Sequence, residues 1–159
     1  MSLGLIASLR PAAPELWSLI VWRKGNLPAG LAIGLLAGCA IGMPLRLYQG
    51  AAFSGFNLWL LGMIVLAYGG NALEEVLFRG LLQGHLERHA SPLHAALGSA
   101  LAFAACHVFL ALTVTQAGWP VLVFTLLEGL VCALLRLRHG VLAAIAAHAA
   151  AILLIAMPI

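Results

Sequence analysis

The sequence has no aspartate and a single lysine, and its only acids are five glutamates. Charged residues make up 8% of the 159 positions, whereas a soluble domain carries about a quarter of its residues as Asp, Glu, Lys and Arg. Water is therefore not the solvent for most of this chain's surface. Cysteine is scarce as well: Cys39, Cys106 and Cys132 are an odd number, all within apolar segments and without metal-type spacing. That excludes a disulfide framework and leaves three small helix-packing residues. The zinc-helix pattern H-E-x-x-H is absent. The net charge of +3 comes from basic residues that fall mainly at the ends of apolar runs, so no nucleic-acid partner is expected. The first apolar stretch is short and has no Ala-x-Ala site after it, which argues against a removable signal peptide.

What is present in quantity is hydrocarbon. The chain is 64% hydrophobic with a mean hydropathy of +1.08. Five apolar blocks, at 27–45, 58–82, 92–117, 119–137 and 141–159, are each of a length to cross a bilayer core, which takes about 20 helical residues. The fold class is all-α: a polytopic transmembrane helical bundle of about five spans. Residues 1–24 are broken by Arg10, Pro11, Pro14 and Glu15, and fit an interfacial helix anchored by Trp17 and Trp22. The whole chain, 1–159, forms one membrane domain. Basic residues alternate as the positive-inside rule requires. Arg10, Arg23 and Lys24 place the N-terminus in the cytoplasm of a cell whose inner membrane holds the protein, and Arg88, Arg136 and Arg138 return to that side. Only Arg46 lies on the wrong side.

Against this background the stretch Asn71-Ala-Leu-Glu-Glu-Val-Leu-Phe-Arg-Gly80 stands out. Ionisable groups inside a span are costly and mark functional sites by default. On a helix, Glu75 and Arg79 are four apart with the acid first, the favourable order for an ion pair. Glu74 lies about 100° round the helix and cannot share that pairing. Glu75–Arg79 is thus expected to lock the helix, leaving Glu74 for chemistry. A structural ion-pair cluster joining two helices fits the same residues.

Counted at about 1.5 Å per residue from the cytoplasmic ends, Glu74, Glu128 and His148 fall at similar depth, with His107 somewhat deeper. Four helices would then bring polar groups together. Each histidine alone also fits an interhelical hydrogen bond, and Glu128 fits a structural, hydrogen-bonded role. Cys106 adjoins His107, but neighbouring helical positions do not face each other, so no Cys–His nucleophile pair is expected. His85, Glu87 and His89 read as solvated capping groups rather than a metal site.

Glu74-Glu75-x-x-x-Arg79, then Phe103-x-x-x-His107, then a late helix carrying His148 resembles the CAAX protease and bacteriocin-processing family of intramembrane proteases. The resemblance covers about residues 58–152, which would be the protease-like core. It implies that Glu74 activates water, His107 assists it and His148 stabilises the oxyanion, with Glu75, Arg79 and Phe103 in support. It also implies a membrane-tethered protein or peptide as substrate, cut close to its C-terminal end. The family commonly has Asn or Asp four residues after the last histidine, where this chain has Ile152. Asn71, one turn before Glu75, is the candidate replacement donor.

Amide hydrolysis needs an activated water and donors aimed at the developing charge, and the expected mechanism uses no cofactor. The alternative is zinc held by Glu74, His107 and His148, a two-histidine, one-carboxylate set. A different class of function, a non-catalytic immunity protein or a proton-coupled carrier using the buried Glu and His groups, is favoured by Ile152. The intact Glu-Glu-x-x-x-Arg and both histidines favour the enzyme.

Overall fold

The computed structural model describes residues 2–48, 58–114 and 118–156. They form seven helices: α1 (Ser2–Ala12), α2 (Pro14–Trp17), α3 (Leu27–Tyr48), α4 (from Leu58), α5 (from Pro92), α6 (Trp119–His139) and α7 (Val141–Ala156). Helix α4 is α-helical over Leu58–Glu75, π-helical over Val76–Leu82, and closes with an α turn at Gln83–Leu86. Helix α5 is α-helical over Pro92–Cys106 and, past His107, π-helical over Leu110–Val114.

Four of these helices, Leu27–Tyr48, Leu60–Leu86, Pro92–Thr113 and Trp119–His139, are long and apolar enough to cross a membrane, and α7 is a shorter apolar helix. The expected fifth span is thus α7, described over 16 residues, or about 24 Å at 1.5 Å per residue. The ends of the expected blocks at 115–117 and 157–159 lie outside the described residues. Helix α1, with 11 residues, reaches only about 16 Å and is too short to span.

Helices α3 and α7 lie backbone against backbone. A side chain placed at Gly34 would meet the carbonyl oxygen of Ala143 at 2.3 Å, and at Gly38 that of Ala147 at 2.1 Å. Gly30, Gly34, Gly38 and Gly42 are the glycines of this buried stripe, and small residues at four-residue spacing are how membrane helices approach without a hydrophobic driving force.

The N-terminal segment is also inside the bundle. Leu19 and Ile20 are buried, and Ile6 and Ile20 pack with Ala72, Val76 and Val141. The first amides of a helix have no intrahelical acceptor. Here the amides of Val141 and Leu142 donate to the carbonyls of Val21 and Trp22 at 2.8 and 3.1 Å. The turn between α6 and α7 needs Gly140, at φ +91°, where a Cβ would strike the Arg23 backbone at 2.5 Å. The Trp17 and Trp22 rings lie 5.0 Å apart, centroid to centroid.

Two expectations are corrected. Cys106 is exposed, so only Cys132, buried with Sγ 3.6 Å from the Ala144 carbonyl, and half-buried Cys39 are packing residues. Arg46, the charge that breaks the loop alternation, is buried and reaches the Leu154 carbonyl at 3.4 Å. A cation at the C-terminal end of α7 is favoured by the exposed carbonyls and dipole there, whichever side of the bilayer it occupies.

Candidate active site

Helix α4 is fastened to α6 by three polar contacts in succession. Arg79 Nη2 donates to the Gly129 carbonyl at 3.2 Å, and Gln83 Nε2 to the Ala133 carbonyl at 3.2 Å. Glu87 then pairs with the buried Arg136. Gly129 leaves room for this, since a Cβ there would lie 3.3 Å from Arg79 Nη2. Arg79, Gln83 and the Glu87 pairing fall within or just beyond the π-helical stretch, a widened geometry often found at functional sites. Gln83 and Arg136 were not among the expected site residues. Gln83 stands just past an apolar block and Arg136 was counted among the cytoplasmic-side charges, so neither gave a signal of a site, and Glu87 was expected to be a solvated capping group.

Glu75 is fully enclosed. Its Oε1 lies 3.1 Å from Arg79 Nη1, so the expected pair forms. The same oxygen accepts a hydrogen bond from His148 Nδ1 at 2.9 Å. The expectation that Glu75 serves only its own helix is therefore too narrow, because it also holds the histidine of α7. The other ring nitrogen, His148 Nε2, faces Glu128 Oε2 across 3.7 Å, an ionic contact longer than a hydrogen bond.

Phe103 joins the rest. It is buried, with its ring 4.5 Å from that of His107, 5.6 Å from that of His148 and 5.2 Å from that of Phe78. The Arg79 guanidinium lies over its face at 4.3 Å, a favourable cation–π arrangement. One aromatic ring thus touches two histidines and the arginine.

The His107 ring is oriented by the backbone. Its own amide donates to Ala104 at 3.0 Å, a three-residue step, which releases the Phe103 carbonyl from its ordinary helical partner. His107 Nδ1 takes that carbonyl at 2.8 Å. A carbonyl only accepts, so Nδ1 carries the proton and Nε2 of the neutral ring presents a lone pair.

Glu74 is half-buried and has no hydrogen-bond or ion-pair partner among the described residues. Asn71 Nδ2, Glu75 Oε2 and Glu128 Oε1 are buried without a partner among the described residues. Ile152 is partly buried one turn beyond His148. Glu75, Arg79, Phe103, His107, His148 and Glu128 are therefore linked by direct contacts across four helices, with Glu74 and Asn71 beside them on α4. Among the described residues no three His, Cys or acidic side chains are grouped to hold a metal ion, so Glu74, His107 and His148 do not form a ready ligand set. The His85 and His89 rings lie 5.1 Å apart, while Glu87 turns to Arg136.

A family model described as type II CAAX prenyl endopeptidase, Rce1-like, matches residues 55–154, the stretch that contains α4 to α6 and most of α7. Comparison with curated proteins and with solved structures finds no match.

Proposed function

The chain belongs to the Rce1-like type II CAAX prenyl endopeptidase family, and from that membership we propose that it hydrolyses a peptide bond near the C-terminal end of a membrane-tethered protein or peptide by glutamate-activated water. The observation that carries this is the division among the carboxylates. Glu75 is bonded to Arg79 and His148 and Glu128 faces His148. Glu74 alone of the three is uncommitted and half-exposed, free to take a proton from water.

In this mechanism water gives its proton to Glu74 as its oxygen adds to the scissile carbonyl. His107 Nε2 accepts a hydrogen bond from the water, takes up that water's second proton as the tetrahedral intermediate collapses, and passes it to the departing amine. His148 Nε2 and the unpartnered amide of Asn71 donate to the oxyanion. Such preorganised donors typically contribute a factor of about 10²–10³ each. Glu75 and Arg79 fix His148, and Phe103 sets both imidazole rings. We assign no metal to the reaction, since the donors that would hold zinc are not grouped. The site is placed in the inner membrane of a cell, with the N-terminus cytoplasmic, on the strength of the basic-residue alternation.

The test compares protein termini in membranes from cells carrying wild type or Glu74→Gln. New termini seen only with wild type name the substrate and the cut together. Identical termini with a surviving phenotype would instead favour a non-catalytic immunity or proton-carrying role.

A further inference from the structure

We propose that Glu128 is a positioning residue for the hydrolysis, keeping the Nε2 of His148 a hydrogen-bond donor; the proposal rests on the protease reading above. The argument starts from the other ring nitrogen. His148 Nδ1 lies 2.9 Å from Glu75 Oε1, and that oxygen is held by Arg79 at 3.1 Å. A carboxylate oxygen so placed accepts, so Nδ1 carries a proton. In a neutral imidazole the second nitrogen is then a bare lone pair, which repels an oxyanion. A donor is needed there, and the side chain that faces Nε2 is the Glu128 carboxyl, 3.7 Å away and almost wholly buried.

An acid opposite Nε2 favours a proton between the two groups. An ionised Glu128 facing an unprotonated Nε2 would set two lone pairs against each other in a buried site. A proton placed between them removes that conflict, and as an N–H on His148 it can point at a developing negative charge. Glu128 has capacity to spare, because its Oε1 is buried with no partner among the described residues. Position 152, one turn after His148, holds an isoleucine and supplies nothing polar. The second partner for the histidine comes instead from α6. The Gly129 carbonyl, next in sequence, receives Arg79, so the same α6 turn serves both the arginine and the histidine.

The charges facing His148 come from each helix packed on it: Glu75, Arg79 and Glu74 from α4 and Glu128 from α6, with His107 across the Phe103 ring on α5. Of these only Glu128 faces Nε2 in a direct contact. Glu128→Gln keeps the shape, but its amide would donate to the Nε2 lone pair and stabilise the wrong form. Glu128→Asp keeps the acid.

Nitrogen-15 NMR of histidine-labelled protein in micelles tests this directly, with His148→Gln identifying the resonance. The expected result is two protonated ring nitrogens in wild type and a lone-pair Nε2 in Glu128→Gln. A lone-pair Nε2 in the wild type overturns the proposal. Cleavage of the substrate peptide found by terminus comparison is the second arm. Glu128→Gln is expected to be slower by about 30-fold and Glu128→Asp by only a few-fold, within the range of coupled neighbours. Equal rates for Glu128→Gln and wild type overturn the proposal while leaving the protease reading intact. Unchanged cleavage in Glu74→Gln removes the glutamate-activated-water reading on which this proposal rests, and the proposal with it.

Discussion

His148 and Glu75 are joined by one hydrogen bond across 73 positions of sequence, 2.9 Å from Nδ1 to Oε1. Because Glu75 is also paired with Arg79, the bond transmits the geometry of α4 to the histidine of α7. A buried carboxylate with two cationic or donor partners tolerates its environment; with one removed, it does not.

Arg79→Leu is therefore expected to destabilise the protein by about 3–5 kcal/mol, the usual cost of leaving a buried partner uncompensated. It also removes the donor to Gly129 and the cation over Phe103. Arg79→Lys keeps the charge but not the planar fork, and should fall between. Thermal unfolding in detergent micelles measures both. Equal stability of the leucine and lysine variants would mean that the charge contributes nothing and that packing alone holds the helices.

Gly38 carries the opposite kind of dependence, on the absence of a side chain. Its Cα faces the Ala147 carbonyl, which a Cβ would meet at 2.1 Å, and the next residue is His148. Gly38→Val must push α7 away from α3, at a cost of about 1–3 kcal/mol for overpacking, and carries His148 off Glu75. Gly62, with nothing within 4 Å of its Cβ position, is the control, and Gly62→Ala should leave melting temperature and activity unchanged. Comparing the melting temperatures of the two variants decides it.

These two sites also show what the sequence makes legible. Glu75–Arg79 could be read because the helix itself sets the four-residue contact. The helix count and the polar residues sharing a depth could be read because the bilayer imposes length on every span. The bond from Glu75 to His148 could not, since it depends on the rotation of α4 relative to α7, which the contacts of Arg79 and Gln83 with α6 help to set. Arg46 stood out against the loop alternation because charge in a sequence does not reveal whether it faces a headgroup or caps a buried helix end.

Removal of metal gives a separate prediction. Each histidine has only Nδ1 engaged in a hydrogen bond, His148 by Glu75 and His107 by the Phe103 carbonyl, but among the described residues no three His, Cys or acidic side chains are grouped to hold a metal ion. Purified protein treated with 1,10-phenanthroline should keep its cleavage rate with the identified substrate peptide. A loss that added zinc restores would assign Glu74, His107 and His148 to the metal instead.

Phe103 provides the sharpest separation between folding and catalysis. Its ring contacts both imidazoles and the Arg79 guanidinium, so its flat faces set the angles at which His107 and His148 stand. Leucine fills much of the same volume without that flatness. Phe103→Leu should remain folded, losing about 0.5–3 kcal/mol as ordinary core substitutions do. Its cleavage rate should fall further than that loss implies, by about 10², the cost of misplacing catalytic groups by an ångström. Rate and melting temperature measured on the same preparation make the comparison. If Phe103→Leu lost stability but cleaved at the wild-type rate, the two histidines would not depend on the ring for orientation. The contacts around it would then be packing alone.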